Sequence, residues 1–596
     1  HSIDEGLVLI QRIRLTTAIL FALAAVIVAV LVVSALSVVG TDEVTETDAF
    51  TVKDGAYAVV LDEAIVPYSG TDVTVEASNS EGKELFVGTA NGVDTDSILD
   101  GVAQEQISNV EFPNNVDHRF IPGDSAPETT ITDRDWWISQ DTGEKVAKTF
   151  DLDADPQVLV ISAANEGENL DGTSVSLKMR VEGVLALSLI GIGVGIILAG
   201  FAAYFFLRWF NARIRPEKKT AVARDAGRGS GPGPGPGGGA GADDAGTNTG
   251  RVRSSRLVKS SERAKAQPPR RTSGRRSLRT VTAVTLTSGL ALSGCNAVPV
   301  AQPDSPDITP YERTAMRPGD AGDFMTGYTE SLDKILDDGG TDLETIQGEP
   351  LIERTRAQIQ IAKKAKQKLR APNFSEVIAG SPSFTEYPMW FYAFGTTKGD
   401  EKLTQVQLAT RESASTDPIV RTASYIPTKQ MPTLMADGHG AVKPGPEGFR
   451  KEMTTTADEV STFLVDGKAD GADANGLKEG GFKDFRGYLG DLRDKDSGFD
   501  KVDVDCKPYE KLDFTSMTLS TEHGAIGMGE VRCTLTIKVP GDYSVDLGDT
   551  IEAVKTNDKD GDTVKVDTAH PYVLMKTGDE LSAVATDWNV LSSHIE

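Results

Sequence analysis

Cysteine and histidine are scarce in this chain, with three Cys and six His among 596 residues. The six His (His1, His118, His439, His523, His570, His594) form no HxxxH or HExxH pair, and there is no CxxC. Zinc needs three or four converging nitrogen or sulfur ligands, so the metalloprotease and zinc-finger readings fall. A GxSxG elbow and a Walker loop are also missing, which removes the α/β-hydrolase and P-loop nucleotide-binding signatures. The acidic run Asp558-Lys559-Asp560-Gly561-Asp562 lacks the spacing and the twelfth-position Glu of a calcium loop and reads as a turn. Asp494 to Asp505 reads as a solvated acidic loop. No catalytic, cofactor-binding or metal-binding residue is assigned, and the expectation is a protein that is not an enzyme and carries no cofactor.

Charge is present but unevenly divided. The net −27 conceals a segment at 41–183 with 30 acids against 8 bases, a reversal to 18 bases against 5 acids over 184–280, and an acidic remainder. Such alternation points to a membrane rather than to nucleic acid.

Two uncharged runs supply that membrane. Leu15 to Gly40 and Val184 to Leu207 contain no charged residue, and about 20 apolar residues at 1.5 Å rise cross the hydrocarbon core. Arg12 and Arg14 precede the first span; Arg208, Arg213, Arg215, Lys218 and Lys219 follow the second. The positive-inside rule therefore places residues 1–14 and 208–279 in the cytoplasm and 41–183 outside. Tyr204, Phe205, Phe206 and Trp209 stand where an interfacial aromatic belt belongs. Gly191 and Gly195 have the GxxxG spacing that admits a close helix, either another copy or the chain's own first span.

After the second span, Arg228 to Gly250 is a Gly/Pro-rich tract with too little apolar surface to offset the entropy of folding, so 208–279 reads as a basic, disordered cytoplasmic linker. Its arginines have no interleaved aromatics and abut a membrane span, which favours lipid headgroups over nucleic acid as the partner. Then Arg275, Arg276 and Arg279 lead into the short apolar run TVTAVTLTSGLA and Leu292-Ser293-Gly294-Cys295. This is the order of a secretory signal peptide, and LSGC resembles the bacterial lipobox. That resemblance implies cleavage between Gly294 and Cys295 and acylation of Cys295. A signal in mid-chain suggests two proteins joined, as a fusion or as neighbouring reading frames run together. Uncleaved, 280–295 would be a short third span; either way 296–596 lies outside.

Residues 41–183 carry recurrent Val/Ile/Thr-rich runs (56–66, 72–78, 83–90, 146–152, 156–164, 173–181) separated by turn residues, the pattern of an all-β, antiparallel sandwich between two transmembrane helices. For Asp135-Trp136-Trp137, strand alternation predicts one Trp inside and one exposed. The succession KELFVGTANGVDTDSILDGV (83–102), DWWISQDTGE (135–144) and QVLVISAANEG (157–167) resembles an uncharacterised family of actinobacterial two-span membrane proteins over about 15–207. The resemblance implies an outer β domain and no activity.

Beyond a tether at 296–322, the remainder reads as an α+β lipoprotein region with two helix-plus-sheet modules, 323–440 and 441–596. Helical spacing marks Phe324, Tyr328, Leu332, Ile335 and Leu336, then a helix near Leu351–Leu369. Strands follow at 389–395, 402–412 and 418–426; a helix at Phe449–Leu464 opens the second module, with strands at 511–520, 529–539 and 572–576. The modules suggest a cystatin-like or nuclear-transport-factor-like form. EYPMWFYAF (386–394) and QLATRESASTDPIVRTASYIP (407–427) are similar to an uncharacterised family of actinobacterial lipoproteins, most strongly over 320–465, which implies a compartment but no substrate. With Cys295 acylated, Cys506 and Cys533 remain to pair in an oxidising compartment.

The functional expectation is a cell-envelope membrane protein and lipoprotein at the plasma membrane, both folded regions extracytoplasmic, acting as a binding or assembly module with an envelope protein partner. A transmembrane sensor and an envelope enzyme with an unrecognised site are the alternatives.

Overall fold

The computed structural model describes residues 2–214 and 311–596, apart from 67, 69–70, 125, 128–130, 152–156, 182, 318, 469–473, 542–545 and 547. The linker, the signal segment and the lipobox with Gly294 and Cys295 lie outside the described residues. The chain divides into two compact units, one holding most of the two long apolar helices and the other Ala35–Leu185 with Ala297–Glu596.

In the first unit, helices Ser2–Val39 and Val184–Ile214 each contain a stretch long and apolar enough to cross a membrane, Leu9–Val39 and Val184–Arg213. Both helices run further than the uncharged cores, because the charged residues at their ends also take up helix. Leu20, Leu31 and Ile196 are more than half exposed, a surface compatible with a lipid environment. Phe21 packs on Phe201 and Phe205, with ring centroids 5.6 and 6.0 Å apart. A Cβ on Gly191 would come within 2.7 Å of Val32, and one on Gly195 within 3.8 Å of Val28. Among the described residues, the glycine pair therefore serves the chain's own first span. Arg208 and Arg213 lie over the rings of Tyr204 and Trp209.

The β domain is a sandwich of two sheets. A five-stranded sheet (Val44–Glu46, Phe50–Thr51, Thr173–Arg180, Asp72–Asn79, Lys145–Asp151) faces a six-stranded one (Asn115–Ile121, Gln104–Glu111, Ala58–Asp62, Val158–Ala163, Leu85–Ala90, Ser139–Gly143). Val73, Val75 and Leu177 from one meet Val59, Leu61 and Ile161 from the other in a single core. The sandwich is not wholly antiparallel, since Ala58–Asp62 pairs parallel with Gln104–Glu111. The crossover between them includes the short helix Gly92–Ile98, capped by the Asn91 side chain. Leu85–Ala90 and Val158–Ala163 are buried at every position, so the six-stranded sheet is covered on both faces. Both tryptophans are buried, against the expectation of one exposed: Trp136 is 1 % and Trp137 7 % accessible. Alternation fails because they follow the 3-10 turn Ile131–Asp133 instead of lying in a strand.

The remainder writes helices before sheet twice. Helices Ala321–Asp337 and Leu351–Ala365 precede an antiparallel four-stranded sheet, Phe374–Gly380, Met389–Thr397, Leu403–Arg411 and Ile419–Pro427. Helices Glu447–Asp466 and Gly480–Leu492 precede a seven-stranded sheet built on the long pair Gly524–Lys538 and Thr563–Thr577. The two sheets share a core: Trp390, Tyr392, Phe394 and Leu408 pack with Leu519, Ile526, Met528 and Val573. Tyr392 donates its hydroxyl to the Met517 carbonyl at 2.7 Å and accepts the Met528 amide at 3.1 Å, tying the sheets together. The expected strand at 511–520 is confined to Thr518–Thr521. The presumed acidic loop is a strand from residue 501, Lys501–Pro508, with Lys501, Asp503 and Asp505 outward and Val502, Val504 and Cys506 inward. Residues 558–562 connect the short helix Gly548–Ala553 to Thr563–Thr577 and close no hairpin.

Cys506 and Cys533 face each other across the Lys501–Pro508 and Gly524–Lys538 pair and are joined by a disulfide. The bridge spans 27 residues of sequence. Replacing both by alanine is expected to lower the unfolding free energy by about 3 kcal/mol. Denaturant melts check this, and an unchanged midpoint would show the pair contributes nothing.

Candidate binding cleft

A cleft of about 570 Å³ opens where the two helix-plus-sheet modules meet, within the range of small-molecule sites. Several segments distant in sequence build it. Helices Ala321–Asp337 and Leu351–Ala365 contribute Tyr328, Leu332, Leu351, Arg354 and Gln358; the strand Ile419–Pro427 contributes Ala423, Ser424 and Tyr425; the far wall is Gly476, Gly480 and 583–589. Helical spacing explains the first set, because positions 328 and 332, and 351, 354 and 358, recur every three or four residues and so share a face. The far wall depends on glycine. Gly480 takes φ of 57°, and a Cβ on Gly481 would strike the Asp587 backbone. Only without side chains can the start of helix Gly480–Leu492 approach Thr586–Trp588, where Thr586 donates to the Glu479 carbonyl at 2.7 Å.

The lining mixes apolar surface with fixed polar groups. Gln347 is 2 % accessible; its amide donates to the Tyr328 hydroxyl at 2.7 Å, while its Oε1 is buried without a hydrogen-bond partner. Burial pushes the Tyr328 phenol well above its ordinary range, so it stays protonated. Arg354 donates to Thr422 Oγ1 at 2.8 Å, and its Nε lies 3.5 Å from Glu530, whose side chain is wholly buried. Glu530 in turn pairs with Arg532 at 2.6 Å, and Arg532 reaches Glu353 at 2.6 Å. Burial lowers the Arg354 pKa while Glu530 opposes the shift. Burial also raises the Asp587 carboxyl, with the Trp588 amide and Arg354 pulling it back. Gln358 donates to Asn589 across the cleft at 3.1 Å.

No His or Cys lines this cleft, so it offers sites for hydrogen bonding and apolar contact but no imidazole or thiolate. Among the described residues, no group of three His, Cys, Asp or Glu could hold a metal ion. Cys506 and Cys533 lie elsewhere, in the core of the second module. His118 pairs with buried Glu105 at 2.7 Å and stacks on Phe50, and His570 sits inside the second module. None of the cleft's polar residues was singled out from the sequence. Arg354 and Gln347 lie more than 200 positions from Asp587 and Asn589, and the one available signal was that Arg354 shares its helix face with Leu351. No protein family, no curated protein and no solved structure matches the chain.

Proposed function

We propose that this chain is a membrane-anchored binding module of the cell envelope that takes a small polar ligand with apolar parts into the cleft of Gln347 and Arg354. The observation that carries the reading is the cleft's lining, in which a buried acceptor without a partner stands beside leucine and tyrosine surface. A buried carbonyl oxygen left unmade costs free energy that a donor on a ligand would recover. Anchoring rests on the two apolar helices, and the excess of Lys and Arg flanking them supports an extracytoplasmic outer unit. The order of basic, apolar and small residues before Cys295 supports its acylation after cleavage at Gly294. The absence of a catalytic spacing in the sequence favours binding over chemistry, with an envelope partner as recipient of the ligand or of the bound state.

Purification of the full chain in mild detergent, followed by native mass spectrometry and solvent extraction, tests this. A small molecule should accompany the wild type and be depleted in Gln358→Trp, which fills the cleft mouth from an exposed helix position. The C-terminal polypeptide should begin at a diacylated Cys295. Identical extracts from the two proteins would reject the cleft, and peptides running intact across Gly294-Cys295 would reject the lipid anchor.

A further inference from the structure

The second face of the β domain's six-stranded sheet is covered by residues from beyond the linker. Trp136 donates its indole N–H to the Ala414 carbonyl at 3.0 Å, and the Ala414 amide donates to Ser97 Oγ at 3.1 Å. Tyr311 donates to Asp62 at 2.6 Å, and Asn91 donates to the Glu312 carbonyl at 2.9 Å. At the centre, Asp94 pairs with Arg313 and accepts the Tyr387 hydroxyl at 2.7 Å. The two charged side chains are 1 % and 11 % accessible. Arg411, itself 2 % accessible, reaches exposed Asp135 at 3.0 Å. Apolar contact accompanies these bonds: Val93 belongs to the core of Met325, Tyr328 and Phe391, while Ala414 belongs to that of Trp136 and Phe86. Gly92 opens this contact, since the three atoms nearest to a Cβ placed there all belong to the Tyr311 ring.

A desolvated ion pair, hydrogen bonds in both directions and exchanged core residues mark a standing interface, because breaking it would leave Asp94 and Trp136 without their partners. Nothing in this set of contacts depends on the peptide connection between residues 215 and 310. We propose that the β domain and the 311–596 region are non-covalent partners, so that a cut between them leaves a two-component assembly, a two-span membrane protein holding a lipoprotein on its outer domain. The two joined proteins read from the sequence are thus each other's partner. The inference goes beyond the binding reading and stands even if the cleft is empty.

The test uses the full chain with a protease site inserted after Gln302 and an affinity tag at the N-terminus. Cutting there frees 303–596 from Cys295 and any lipid on it, so only the interface can retain it on the resin. The freed fragment should remain bound to the tagged, detergent-solubilised part through extended washing. Asp135→Arg, at an exposed position facing buried Arg411, should speed its release by about tenfold or more. Gly92→Leu should release it as well, and adding Tyr311→Ala to Gly92→Leu should restore retention. Prompt loss of the wild-type fragment, or retention unaltered by both single substitutions, would overturn the proposal.

Discussion

Replacing Arg354 by methionine is expected to destabilise the second unit by about 3–5 kcal/mol, the range for removing one partner of a buried charge pair. Arg354 comes from the helix Leu351–Ala365 and Glu530 from the strand Gly524–Lys538, so their pair crosses the boundary between the two modules. With the guanidinium gone, the Glu530 carboxylate stays inside with Arg532 alone, and Thr422 Oγ1 and the Ala423 carbonyl lose a donor. Methionine keeps most of the apolar volume, so the loss reports charge rather than a cavity. The distinguishing result is non-additivity: Arg354→Met with Glu530→Gln should be more stable than Arg354→Met alone, because the second change removes the stranded charge. Arg532 keeps Glu353 and is 22 % accessible, so it tolerates that change. Denaturant melts of the four proteins decide the matter. A single mutant within about 1 kcal/mol of wild type would mean that water already reaches Glu530.

The fate of Arg354 in the sequence reading explains which parts of this protein could be read in advance. An uncharged run of more than twenty residues strongly favours one long apolar helix, and both runs lie in such helices. Leu85–Ala90 and Val158–Ala163 were legible as strands because unbroken apolar runs are what two covered faces require. The edge strand Asn115–Ile121 was not legible: it has no buried position, so its residues carry no inside-outside alternation. Helix Gly480–Leu492 hid behind four glycines, although Phe482, Phe485 and Leu489 have the right period. In Lys501–Pro508 the charges drew attention away from a clean alternation of two. The cleft and the interface could not be read because both are made by distant segments. Asp94 looks like any helix-start acid and Arg313 like any tether charge until the fold brings them together. At Trp136, which lies in a turn and not in a strand, part of the cover likewise arrives from a distant segment, at Ala414.

Acidification supplies the second large effect, and it comes from His570. The ring lies inside the second module, 0 % accessible, edge-on to Phe485 with centroids 4.4 Å apart. Its Nε2 makes a 2.8 Å hydrogen bond with the Thr568 hydroxyl, which also lies 3.3 Å from the Cys533 carbonyl. Nδ1 is buried with no hydrogen-bond partner, so nothing is placed to accept a proton added there. Burial, with Arg532 adding repulsion, pushes the pKa down from 6.5 to about 3. Between those values the unfolded chain holds a proton that the folded one refuses. Stability is thus complete above pH 6.5 and falls as the pH drops toward 3, by about 1.4 kcal/mol for each pH unit. Asp96 and Asp587, whose carboxyls burial raises, act in the opposite direction and soften the lower part of the slope. Asp437, Asp466 and Asp513, whose carboxylates hydrogen bonds hold low, lose their contribution only near and below their ordinary range. From pH 6.5 to 4.5 the descent should therefore belong to His570. Unfolding free energies measured in urea across this window should drop by roughly 2–3 kcal/mol in the wild type, while His570→Gln, which can still donate to Thr568, should be nearly flat over the same interval. A variant whose slope matches the wild type would assign the acid sensitivity to other groups.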